Sequence, residues 1–197
     1  MAGRPRSIDD AAILEATVRV MGRTGPAALT LSQVASEAGV VPGTLVQRFG
    51  SKRGLILALA EYNAQRLSDL REQALRDQRP PLEVLAELLV GVWEQASTPE
   101  AFANHLAFLC ADLADAQFRD LALANHRSTS AFIAELLGAA VEDGELQPGT
   151  DVDALTDAIQ STVTGAGLIW TIEREGTLSE RLHTSLERVL EPHRNDL

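Results

Sequence analysis

The residues best suited to chemistry lie between Leu29 and Lys52, in LTLSQVASEAGVVPGTLVQRFGSK. Their types suit gripping a polyanion rather than breaking bonds. Two short apolar-periodic segments flank Gly39, the arrangement of a helix-turn-helix. Val34 and Ala35 of the first segment can pack on Leu45 and Phe49 of the second, and the small Ala35 and Ala38 allow close approach. That inward set turns Gly43, Thr44, Gln47 and Arg48 outward. A glycine admits a backbone closely, Thr44 and Gln47 can reach phosphate or base edges, and Arg48 adds charge. Lys52, the only lysine of the chain, opens the following helix, where free N–H groups and the helix dipole favour phosphate. A helical hairpin with a solvated polar face has the same spacing.

Positioning these groups requires helices, and the chain reads as helical throughout, with no alternating runs of the kind that mark strands. Ser7 can cap a first helix whose opening turn holds Asp9 and Asp10, and whose apolar face is Ile13, Leu14, Val18 and Met21. Gly25 and Pro26 end it. Thr30 caps a short helix to about Glu37. Pro42 suits the first position of another, ending near Arg48, and Ser51 caps the next. That fourth helix meets no breaker until the proline pair near residue 80, so a continuous rod is expected to join head and body. Further helices are predicted near 82–96, 100–114, 116–142, 152–175 and 178–190. The expected fold is all-α: a three-helix head over residues 1–54, joined by the long fourth helix to a helical body over residues 55–197.

Net charge over the 197 residues is −11, which taken whole argues against nucleic acid. The distribution argues otherwise. Residues 1–60 carry seven basic and four acidic side chains, and the remainder ten basic and 24 acidic, so a mildly basic head sits on an acidic body. Arg4 and Arg6 flank Pro5 ahead of the first helix and could form an arm in a minor groove; a tail without a role has the same composition. No apolar run approaches a membrane span, MAGRPRSIDD has no apolar stretch behind its basic residues, and Cys110 is the single cysteine, so a cytoplasmic location is expected. Enzymes fit poorly. His105 and Cys110 are five residues apart, about 140° around a helix. His105, His126, His183 and His193 lack metal-ligand spacing, and no cofactor is expected. An all-helical interaction module without DNA binding remains the rival reading.

The segment from Ile13 to Leu59, through ILEATVRVMGRTG, LTLSQVASEAGV, PGTL, F and SK in order, resembles the DNA-binding domain of the TetR (tetracycline repressor) family of bacterial transcriptional regulators. About a quarter of the chain carries the resemblance. It implies a homodimer whose heads read a palindromic double-stranded operator, released when a small-molecule effector enters the body. By position, Thr44, Gln47, Arg48 and Lys52 fall where family members touch DNA, and Gln33 where the second helix meets phosphate. Three positions depart from the pattern: Val46 replaces a tyrosine, Arg48 a histidine, and Val41 a capping serine.

In the body, Trp93, Phe102, His105, Leu109, His126 and Trp170 are candidate effector contacts, suiting a largely apolar ligand; core packing would use the same residues. The last two predicted helices carry the stripes Leu155, Ile159, Val163, Ala166, Trp170 and Leu178, Leu182, Leu186, Val189, and are the candidate dimer surface. The small residues from Thr164 to Gly167 would permit close approach there.

Overall fold

The computed structural model describes residues 8–77, 79–93, 96 and 98–195. Arg4, Arg6 and Ser7 lie outside these. Among the described residues the ordered elements are helices: α1 (Asp10–Ala28), α2 (Leu31–Ala38), α3 (Pro42–Phe49), α4 (Lys52–Asp77), α5 (Pro81–Gly91), α6 (Pro99–Asp112), α7 (Ala116–Glu142), α8 (Val152–Glu173) and α9 (Leu178–Leu190). A single bridge, Leu146 to Arg194, ties the α7–α8 loop to the C-terminal segment.

Local chemistry sets most boundaries. Asp9, not a residue of the first turn, caps α1 by accepting from the Ala12 N–H at 2.8 Å. The α1 backbone breaks at Gly25 (φ 68°, ψ 176°), a conformation that excludes most side chains, and one further turn follows Pro26. Thr30 and Gln33 form a reciprocal capping box on α2. Gly39, left-handed at φ 71°, closes that helix, and Pro42 opens α3 behind an uncapped Val41. Ser51 Oγ accepts from the Gly54 N–H, so α4 starts where expected and runs unbroken for 26 residues. Helix α5 is shorter than its predicted span, ending at Gly91, and α8 stops at Glu173 before a left-handed Arg174.

Two apolar clusters organise the packing. The larger joins α5 through α9 around Leu85, Phe102, Ile133, Leu137, Ile159 and Leu182. The smaller holds the head together through Ile13, Val34, Ala35, Leu45, Leu55 and Leu59, and it also contains Phe108 of α6 and Phe118 of α7. Two phenylalanines from the body therefore complete the core of the head. Helix α1 packs mainly on α6 and α2, and the α6–α7 corner sits directly under the three-helix unit.

Candidate nucleic-acid interface

Helices α2 and α3 meet through Val34, Ala35 and Leu45, all fully buried, with Phe49 half-buried beside them. This packing fixes which way α3 faces. Gly43, Val46, Gln47 and Arg48 are exposed and Thr44 half-exposed, as the helical period around Leu45 requires. No side-chain hydrogen bond ties Thr44 or Gln47 to another described residue, so their polar groups are free for an outside partner. A Cβ placed on Gly43 would meet nothing within 4 Å. Gln33 is exposed, but its Oε1 accepts from the Thr30 N–H and Oγ1, both at 2.9 Å. The capping box therefore turns its amide N–H₂ outward as a donor.

The cations are arranged differently from the sequence expectation. Arg48 donates to the Ile8 carbonyl at 2.7 Å and pairs with Asp10 at 2.9 Å, fastening the end of α3 to the entry of α1. Lys52 donates to the Pro26 carbonyl at 2.8 Å, bracing α4 against the broken end of α1. Arg19 and Arg23 both hold Glu37, whose carboxyl they pull below the usual range, Arg19 foremost. Arg53 pairs with Asp115 and Gln117 of the body and lies over the Phe118 ring at 5.3 Å. Each cation among the described residues up to 60 thus has an internal partner. The exposed ion pairs among these are worth about 0.2–1 kcal/mol, so a phosphate can share or displace them, whereas Lys52 bonds a part-buried carbonyl.

Sequence reasoning missed the wiring between head and body. The Gly22 carbonyl would normally accept from the N–H four residues on, but Pro26 has none. Asn104 Nδ2 of α6 donates to it instead, at 2.8 Å. The proline was the available signal, since it leaves a carbonyl in need of an outside donor. On the neighbouring α4 side, Asp115 caps α7 and binds Arg53, and its carboxyl is held low, first by that guanidinium and then by the Gln117 and Phe118 N–H groups.

His105 faces the head rather than a chamber. Its Nε2 lies 3.6 Å from where a Gly22 Cβ would stand, and burial lowers its pKa below the ordinary histidine value of about 6.5. The unfolded chain therefore binds this proton more readily than the fold does. Its contribution is complete above about pH 6.5 and declines as pH falls toward the lower folded-state value. Melting curves between about pH 7.5 and 5.5 should show wild type losing stability on acidification more steeply than His105→Gln. Parallel curves would remove His105 from the junction's pH response.

The other candidate effector contacts divide into two groups. Trp93, Phe102 and Trp170 converge: the first two rings lie 4.5 Å apart, and Phe102 meets Trp170 edge-on at 6.5 Å. Phe102 is fully buried, Trp170 nearly so and Trp93 half-buried against them, so the rings pack on one another as core. Leu109 and His126 are exposed and do not join it. A cleft of about 100 Å³ lies elsewhere, between α4, α5 and α7, lined by Leu70, Gln73, Ala74, Arg79, Val84, Glu87, Leu88 and Phe132. The leucine stripes of α8 and α9 face their own core, and Ala166 and Gly167 are buried under Phe102. What α8 leaves exposed is its other side, Leu168, Ile169 and Ile172, while the outer face of α9 is polar, with Glu180, His183, Thr184 and Glu187.

This helix-turn-helix on a helical body places the chain in a class of DNA-binding regulators. Residues 13–59 match the family described as bacterial regulatory proteins, tetR family. The transcriptional regulator BetI of Agrobacterium fabrum is 30% identical over 153 residues, covering 75% of this chain and 73% of that protein. BetI of Rhizobium meliloti is 34% identical over 98 residues, 49% of this chain and 48% of that one, so the match spans about half the length of this curated relative. The solved SmeT–triclosan complex superposes with a TM-score of 0.70 at 21% identity, covering 95% of this chain and 92% of SmeT. The chain belongs to the TetR family of transcriptional regulators, and its relatives are regulators rather than enzymes. No helix among the described residues is long and apolar enough to cross a membrane.

Proposed function

We propose that the protein is a ligand-responsive repressor that binds a palindromic operator as a homodimer and releases it when a largely apolar small molecule enters the body. Residues 1–54 read DNA in this account, and residues 55–197 sense the effector and dimerise. The observation that carries it is the outer face of α3: Gly43 and Gln47 are exposed and Thr44 half-exposed, the Thr44 and Gln47 side chains bond no other described residue, and Leu45 holds the face from beneath. Gln33 supplies a pre-oriented donor for phosphate. Lys52 and Arg48 act first as braces and add positive potential second.

The effector route is the cleft between α4, α5 and α7. At about 100 Å³ it is smaller than the roughly 300–1,000 Å³ of typical ligand sites. An effector larger than the cleft would have to part its walls, and one of these, α4, continues without a break to Lys52 beneath the reading helix. SmeT has been solved in complex with triclosan and the FadR of Bacillus subtilis with stearoyl-CoA, which supports an apolar ligand class for this fold. A complete switch from bound to released needs about 10⁴-fold preference of the effector for the released state. For the dimer, the exposed apolar side of α8 is the contact we assign, with the polar face of α9 at its rim.

Gly43→Ala tests the DNA reading without touching the fold. Alanine favours a helix over glycine by up to about 1 kcal/mol, and its Cβ meets empty space, so the melting temperature should hold or rise. Losing one close backbone hydrogen bond to phosphate should weaken operator binding about tenfold. Fluorescence anisotropy on DNA flanking the protein's own gene measures this; unchanged affinity would move the interface away from Gly43.

A further inference from the structure

We propose that Val46 is a specificity-determining residue that reads thymine C5-methyl groups, so that the half-site under α3 is built on A·T pairs. The inference rests on α3 being the reading helix and names what that helix selects. Val46 is 52% exposed and Val41 at the helix start is 68% exposed, although each is a large apolar side chain on a surface facing water. Val46 stands beside Gly43 and Gln47 on the arc of α3 that Leu45 turns away from the core, and Val41 is the extended residue just before the first turn.

In a major groove the thymine methyl is the apolar feature that such side chains can cover, and a glutamine amide matches the N6 and N7 groups of adenine. Guanine is read most often by a free arginine or lysine. Both already hold internal partners in the unbound chain, so reading guanine would mean giving these up. Arg48 is held by the Ile8 carbonyl and Asp10, and Lys52 by the Pro26 carbonyl. The face thus offers a methyl-covering surface and an amide, and no unoccupied guanine reader among the described residues.

The experiment begins with selection from random duplexes by the full-length chain. The selected half-site is then remade with uracil in place of each thymine, which deletes only the methyl, and bound by wild type and by Val46→Ala. Because Val46 is exposed, the variant should fold as wild type, checked by its melting curve. Expected are A·T-centred sites, about fourfold weaker binding per lost methyl under Val46, and a Val46→Ala protein indifferent to the same uracil. Sites centred on G·C pairs, or equal sensitivity to uracil in both proteins, would overturn the inference while leaving DNA reading intact. Selection without any enriched sequence would overturn both.

Discussion

Replacing Leu168 and Ile172 together by glutamate is expected to turn the proposed dimer into monomers without unfolding either copy. The two residues are one helical turn apart on α8 and 49% and 74% exposed in the single chain, with Ile169 beside them at 48%. Such a stripe has no covering partner among the described residues of its own chain. In a two-fold contact each side chain meets the same patch on the other copy, so two substitutions place four like charges in one interface. Desolvating an unpaired carboxylate costs several kcal/mol, and the mutual repulsion adds to this. A loss of dimer affinity on the order of 1,000-fold or more follows. Sedimentation should report a monomer with wild-type helicity, since neither side chain is in the core. Operator affinity should collapse in parallel, because a linked second head no longer holds the first in place. A variant that remains dimeric would place the interface elsewhere.

The second large effect is on stability, at the junction of α6 and α8. Phe102→Ala should cost about 3–5 kcal/mol, the usual range for a fully buried aromatic. For a chain of this size that is a fall of roughly 10 °C in melting temperature. The ring fills the space between Trp93, Trp170 and the bare backbone of Gly167. The complementary change, Gly167→Ala, should also destabilise, although alanine favours a helix by about 1 kcal/mol over glycine. Its Cβ would overlap the Phe102 ring, and overpacking costs about 1–3 kcal/mol, so the steric term outweighs the propensity term. Calorimetry on both variants checks the pair. A Gly167→Ala protein more stable than wild type would mean the ring can move aside, and with it that the cluster is loose enough to be a ligand chamber.

Features governed by neighbours a few residues away were legible in the sequence. Thr30, Gly39, Pro42 and Ser51 each act within one helical turn, and their roles follow from residue type alone; Gln33, expected only to meet phosphate, also closes the capping box on α2. The continuity of α4 was legible because nothing in it breaks a helix. Contacts across long separations were not legible. Arg48 finds Asp10, 38 residues away, and Lys52 finds Pro26, 26 residues away. Type and spacing marked both cations as phosphate ligands and carried no sign of these internal partners. Phe108 and Phe118 read equally well as body core, yet they finish the head. The aromatic candidates were recognisable as apolar, but whether apolar rings close on each other or line a chamber depends on three helices at once. The stripes of α8 and α9 illustrate the same limit: helical period identifies an apolar face but not whether its own chain or a second copy covers it.

The head is consequently held from two sides, by the α4 rod and by the α6–α7 corner through Asn104, His105, Asp115 and the two phenylalanines. In the proposed switch, motion of α4 would shift that corner as well, so that a signal from the body would reach α1 and α3 together.

Hydroxyl-radical footprinting of the DNA flanking the protein's own gene, at saturating protein, tests the central claim most directly. The account predicts two protected patches related by two-fold symmetry, on one face of the duplex and a whole number of helical turns of about 10 base pairs apart. Uniform protection, or none, would contradict a dimer that reads DNA through the outer face of α3.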